Sequence, residues 1–350
     1  MTTRTLVDAG TPGTGPAAGS PEAAATRRPG LPSTTATCVA VVAVAVVLSV
    51  VVGARAVPLT AVWSDTHPLH PVVEARLERT LLALAVGAAL GLAGALMQGL
   101  TRNPLADPGI LGVNAGATFA MVIGMTAFGA NALSQFLPLA FAGAALATVL
   151  VHAIAALGRD GATPMKLAIT GAALTAGLMS WTTGLLLADR KTMESFRFWQ
   201  VGTVGGRGLD VLLVGAPFLV AGAVLALTGA RLLNTLALGD DLARGLGRRT
   251  TRDRLVLGLA IVLLAGTATA LTGPIAFVGL VVPHVVRGFV GPDYGRVLPF
   301  SMLAGAALVV LADTVGRVVL PPAEVQVGIM AAAVGVPFFL FLIRRTGRSL

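Results

Sequence analysis

Few residues in this sequence could do covalent or metal chemistry, and none of them is paired. Cys38 is the lone cysteine, which excludes a disulfide framework and a cysteine-based metal cluster. His284, in VVPHVVR, has no histidine or carboxylate partner at ligand spacing. Pro283 beside it breaks the helix locally, so a hydrogen bond from His284 to freed backbone is expected. There is no Walker A motif, no Ser-His-Asp pattern and no carboxylate pair on one face. The expectation is a protein without catalytic residues, metal site or bound cofactor. What remains is the chemistry of charge and backbone.

Three polar clusters carry it. The first is QGLTRNPLADPGILGVNAG, residues 98–116, which sets Arg102, Asn103, Pro104, Leu105, Asp107 and Pro108 between two apolar runs. Its prolines forbid a continuous helix. Irregular backbone at membrane depth is tolerated only against protein or a water-filled cavity, so this turn is expected to face a pathway or a neighbouring helix. The second is LALGDDLARGLG, 236–247, inside the basic stretch 231–254. It reads as short helices, with Asp240 and Asp241 favouring a helix N-terminus and Gly245 and Gly247 ending one. The third is a set of three arginines, Arg76, Arg79 and Arg317, next to the ends of apolar runs.

The elements that position these clusters follow from composition. The chain has 350 residues, 55% hydrophobic and 12% charged. Soluble domains carry roughly twice that charged fraction, about 25%, and the apolar runs are too long for soluble helices. This is an all-α, multi-pass membrane protein. The net charge of +9 does not indicate nucleic acid, because the basic residues stand singly between apolar runs with no stacking aromatics among them. Residues 1–35, rich in Pro, Gly, Ala and Thr, read as a disordered tail, and the following run reads as an uncleaved first span.

Charges divide residues 36–345 into ten spans: about 37–54, 80–100, 109–129, 136–157, 166–187, 210–230, 254–271, 275–291, 297–315 and 326–343. Asn131 and Pro138 mark one turn, and Gly273-Pro274 cuts the run 255–286. With both termini cytoplasmic, most of the 25 Lys and Arg residues fall inside, including Arg27, Arg28, Arg102, Arg159, Lys166, Arg231, Arg244, Arg248, Arg249, Arg344 and Arg345. Arg55, Arg76, Arg79, Arg207 and Arg317 fall outside. The small-residue runs GAALGLAGA (87–95), AGAALA (142–147) and AGAAL (304–308) permit close helix packing.

Four stretches resemble the permease subunits of ATP-binding-cassette importers for iron-siderophores and vitamin B12, the FecCD family. They are ARLERTLLALAVGAALGLAGALMQGLTRNPLADPGILGVNAGA (75–117), LALGDDLARGLG (236–247), GPIAFVGLVVPHVVR (273–287) and ADTVGRVVLPPAEVQVGIMAAAVGVPFFLFLIRR (312–345). The resemblance implies ten spans, a cell-membrane location and a pathway shared with a second permease, identical or paralogous. It implies two ATPase subunits inside, which bind ATP and Mg, and an extracytoplasmic substrate-binding protein outside. Leu238, Gly239, Asp240, Asp241, Ala243, Arg244, Leu246 and Gly247 would dock the ATPase. Arg76, Arg79 and Arg317 would meet carboxylates of the binding protein. Asn103, Pro104, Leu105 and Thr163 would approach the inner mouth, and 196–207, with Trp199, would form a short helix capping the pathway outside. The implied cargo is a ferric siderophore, with cobalamin or haem as the alternative. An ion-coupled secondary transporter would need buried acidic residues in mid-span, and a membrane receptor or scaffold would leave the 236–247 pattern without a purpose.

Overall fold

In hydrocarbon a backbone can satisfy its N–H and C=O groups only within itself, so long uncharged runs must become helices. The computed structural model describes residues 31–346 apart from 54–56, 59, 65, 131, 158–162 and 248, and contains no strand among them. The helices are α1 (Leu31–Val51), α2 (Thr60–Trp63), α3 (His70–Thr101), α4 (Val113–Phe128), α5 (Leu133–Ala155), α6 (Pro164–Ala188), α7 (Arg190–Gln200), α8 (Leu209–Thr228), α9 (Ala230–Ala237), α10 (Asp240–Gly245), α11 (Thr250–Ile261), α12 (Thr267–Thr272), α13 (Val278–Val290), α14 (Tyr294–Val319) and α15 (Val327–Thr346). A 3₁₀ turn, Pro108–Leu111, precedes α4, and a π turn, Val262–Gly266, joins α11 to α12.

Among the described residues seven helices are long and apolar enough to cross a membrane: α1, α3, α5, α6, α8, the composite α11–α12, and α14. Three shorter apolar helices, α4, α13 and α15, accompany them. The tail up to residue 30, Asn131, and Arg55, Arg159 and Arg248 of the charge map lie outside the described residues.

α3 is the axis of the bundle, buried almost continuously from Val86 to Leu100. Lipid tails are as apolar as leucine, so helices associate here by close packing rather than by escape from water. The small-residue runs supply that packing. A methyl group added at Gly87 would lie 2.3 Å from the Gly305 carbonyl oxygen, and one at Gly91 would lie 2.1 Å from that of Ser301. Two of the three runs therefore meet each other across α3 and α14. The third meets α4: a methyl at Gly143 would lie 2.2 Å from the Gly116 carbonyl.

Three boundaries differ from the expectation. α1 already includes residues 31–35, which the sequence assigned to the tail. Pro138 lies inside α5 rather than in a turn; α4 ends instead at Gly129, in the left-handed conformation at φ 64°. The short helix expected at 196–207 is α7, which begins at Arg190. Asp189 caps it by accepting hydrogen bonds from the backbone N–H groups of Lys191 (3.1 Å) and Thr192 (3.3 Å).

Candidate functional site

Two polar regions occupy opposite ends of α3, with Arg79 at one and Gly99 at the other. At 1.5 Å per residue they lie about 30 Å apart, the thickness of a bilayer's hydrocarbon core.

At the Arg79 end the side chains form a closed ion cluster. Arg79 donates from Nε and Nη2 to Asp313 at 2.7–3.1 Å and from Nη1 to Glu324 at 2.7 Å. Arg317 Nη2 sits 3.2 Å from Asp313, its own neighbour one turn back on α14. Asp313 is 1% exposed and Arg317 2%. Arg317 also donates from Nη1 to the Ser49 carbonyl (2.8 Å) and from Nη2 to the Ser49 hydroxyl (2.6 Å). Arg76 donates from Nη1 to the carbonyls of Val50 (2.8 Å) and Val51 (3.0 Å). These are the last carbonyls of α1, which have no partner within their helix. Two cations at a helix C-terminus also complement its dipole. Arg76 and Arg317 thus cap α1 and tie it to α3 and α14.

The three outside arginines were expected to present their charges to a binding protein. Arg76 and Arg317 are turned inward, where they bond the end of α1 and Arg317 also faces Asp313; among the described residues Arg317 Nε is buried without a hydrogen-bond partner. Arg79 stands nearer the surface, paired to the half-exposed Glu324. The sequence reading missed Asp313, and its signal was present: ADTVGR places an acid and an arginine at i, i+4, one turn apart on a helix. Arg207, between α7 and α8, was also missed as a site residue. Its Nη1 is buried without a hydrogen-bond partner among the described residues, and burial pushes the guanidinium down to about 10.

Beneath the same face, the end of α7 fills the break between α12 and α13. Gly273 adopts φ 79°, and a methyl there would lie 2.1 Å from the Trp199 carbonyl. Thr203 N–H donates to the Thr272 carbonyl (2.8 Å), and Gly328 N–H, at the start of α15, to that of Gly202 (3.1 Å).

At the Gly99 end the chain leaves α3 through Arg102, in the left-handed region at φ 50°. Asn103 Oδ1 accepts from Leu105 N–H at 2.9 Å, and Asp107 Oδ1 from Gly109 N–H at 2.8 Å. The Asn-Pro-Leu corner is exposed, while Ala106 and Pro108 are buried. Pro108 packs toward Gly279 of α13, where an added methyl would lie 3.0 Å from the proline ring. Burial raises the Asp107 carboxyl above the usual range. Thr163 caps α6, accepting from Lys166 N–H at 3.4 Å.

Pro283 frees the carbonyl four residues before it, that of Gly279. Gln98 takes it: Nε2 donates to Gly279 O (3.3 Å) and Leu280 O (3.1 Å), while its Oε1 accepts from Arg287. Gln98 of α3 thus reaches the carbonyl that Pro283 frees, 181 positions away in the chain. The His284 ring packs edge-on against Phe338 at 5.9 Å.

α9 and α10 make an elbow beside this turn. Asn234 clamps α9 to the start of α14, donating to Asp293 Oδ1 (2.6 Å) and accepting from Tyr294 N–H (3.0 Å). That amide, with the Gly295 N–H behind it, holds the Asp293 carboxyl below the usual carboxylate range. Leu233 and Tyr294 close on Gly99, where a methyl would lie 2.7 and 2.9 Å from them. α10 is held by the fully buried Ala243 and turns its other face outward. Leu238, Leu242 and Leu246, four residues apart, are 58%, 62% and 66% exposed. Asp241 and Arg244 flank them at 3.6 Å from each other. The side chain of Asp240 lies outside the described residues. The sequence reading named Leu238 and Leu246 but not Leu242, although the four-residue spacing was visible. Together the three form a leucine ridge on a charged, exposed loop.

The sequence model of the FecCD transport family matches residues 41–345. The ferric enterobactin transport system permease protein FepD of Escherichia coli is 45% identical over 87% of this chain and 93% of its own. The siderophore transport system permease protein YfiZ of Bacillus subtilis is 43% identical over 81% of this chain and 85% of its own. The hemin transport system permease protein HmuU of Yersinia pestis is 37% identical over 79% and 84%. Among solved structures, a metal-chelate type ABC transporter in an inward-facing conformation superposes with a TM-score of 0.79 at 27% identity, over 89% of this chain and 99% of that one.

Proposed function

This chain belongs to the FecCD transport family, and on that premise we propose that it is the membrane-spanning permease of an ATP-binding-cassette importer for ferric siderophores. The observation that carries the reading is the α10 ridge, because Leu238, Leu242 and Leu246 are exposed beside Asp241 and Arg244, uncovered by any of the described residues. An ATPase subunit docked there covers them. ATP and Mg belong to that ATPase. The relatives named for ferric enterobactin and siderophore transport support the iron-chelate cargo, and the haemin relative supports haem as the second reading.

In this account the three short apolar helices α4, α13 and α15 join the seven long ones to make ten spans with both termini cytoplasmic. A second permease, identical or paralogous, completes the pathway. The α10 face is inner and the ion cluster outer. Closure of the ATPases pushes α10, and the push passes through the Asn234 clamp to the start of α14 and through Leu233 to Gly99 of α3. α3 and α14 touch backbone to backbone at Gly87, Gly91 and Gly305, so they move as a unit. The corner Asn103–Leu105 directly follows α3 and forms part of the inner mouth, where an apolar side chain seals by excluding water. Thr163 borders that mouth as the cap of α6. The end of α7 closes the outer side.

Docking of the binding protein falls on the outer rim at Arg79 and Arg207, with Arg76 and Arg317 supporting the rim from beneath. Proteoliposomes holding the chain with its ATPase and binding protein are expected to accumulate a ferric siderophore only when ATP is supplied. Accumulation driven by a proton or sodium gradient without ATP would overturn the reading in favour of a secondary transporter.

A further inference from the structure

Away from the pathway elements, α5 and α11 part toward the α10 face and leave a cavity of about 640 Å³, open on one side. It falls within the ~300–1,000 Å³ range of small-molecule sites. Its shape follows from the π turn. α12 lies against α5, with Gly266 at the end of the π turn facing Ala144. At Val262, where the π turn begins, the helix departs from α5, and the cavity ends there. Gly258 supplies further room, since a methyl at that position would lie 3.5 Å from the His152 ring.

The two ends of the cavity differ in chemistry. Leu255, Leu259 and Val149 make an apolar wall along the depth of the membrane. Arg254, His152 and Thr251 stand at the mouth, one helical turn from the end of each helix. Arg252 lies on the same first turn of α11, and Arg249 is the residue just before that helix. An apolar slot topped by cationic and hydroxyl groups at headgroup depth complements one kind of molecule. We propose that this groove binds an anionic phospholipid of the inner leaflet, with its phosphate at Arg254 and one acyl chain along Leu255 and Leu259. The sidedness rests on the importer topology given above; the lipid contact itself does not.

The chain in nanodiscs of mixed phosphatidylglycerol and phosphatidylcholine, analysed by native mass spectrometry, is expected to retain phosphatidylglycerol about fivefold over phosphatidylcholine, the size of effect one arginine has at an anionic surface. Arg254→Gln should erase the preference by removing the charge. Ala153→Trp, at an exposed wall position, should erase it by filling the slot while the melting temperature in detergent stays unchanged. Equal retention of the two lipids by the wild-type chain would overturn the proposal. So would a preference that survives Ala153→Trp. Efficient cross-linking between two copies through Ala153→Cys would assign the groove to a second permease instead. None of these readouts uses ATP, so failure of the lipid site and failure of the importer reading are separable.

Discussion

The ion cluster at one end of α3 and the elbow at the other are both built from charged residues, yet they do opposite things with them. Around Asp313 the charges are buried and face one another, and Arg76 and Arg317 spend donors on the carbonyls that end α1. On α10 the charges face outward and the leucines with them. A buried cluster whose charges face one another holds helices together and presents little surface to a partner. An exposed ridge held at one point, Ala243, contributes little to folding and has its whole face free. Charge alone does not mark a docking site; unspent surface does.

The largest effect should come from breaking the closed end. Asp313→Asn leaves Arg79 and Arg317 buried without their shared anion, a loss of about 3–5 kcal/mol. The variant is expected to insert poorly and to melt well below the wild type in detergent. Normal level and melting would show that the cluster is not what joins α1, α3 and α14.

The clamp between elbow and bundle should come next. Asn234→Ala removes two hydrogen bonds, one of them to a charged carboxylate, worth about 2–3 kcal/mol together. ATP hydrolysis in the assembled importer should continue while substrate uptake falls several-fold. Equal loss of hydrolysis and uptake would mean the clamp only stabilises the fold.

At the inner corner, Leu105→Ala should leave stability within about 0.5 kcal/mol, as for an exposed residue, and open a leak to a small probe in liposomes without ATP. A tight, fully active variant would reduce the Asn-Pro-Leu corner to a helix break.

The smallest expected effect is one of pH. Asp293 is held below its unfolded value by Asn234, so its contribution is present above that value, about 3.9, and fades as pH falls through the folded one. Melting should therefore be insensitive to Asn234-dependent protonation at neutral pH. A difference between wild type and Asn234→Ala that shrinks below about pH 4 is the expected signature.

Much of this was legible in the sequence because hydrocarbon leaves a backbone few options. Uncharged runs gave the helices, Gly273-Pro274 gave the broken one, and the small-residue runs gave the close contacts at Gly87, Gly91 and Gly143. Sidedness within a helix was harder. Arg76 and Arg317 read as outward charges because nothing in a linear sequence says that α1 ends beside them. Gln98 looked unremarkable until α13 placed a carbonyl freed by Pro283 against it. The spacing of Leu238, Leu242 and Leu246 is visible in the sequence, but the burial of Ala243 is what shows that their face of α10 is the free one.

Co-purification of the partner ATPase with Leu242→Arg tests the central claim most directly. The account predicts that the variant melts like the wild type and loses the ATPase, because the change falls on the exposed ridge and not on Ala243. A Leu242→Arg chain that folds normally and still carries its full complement of ATPase would contradict it.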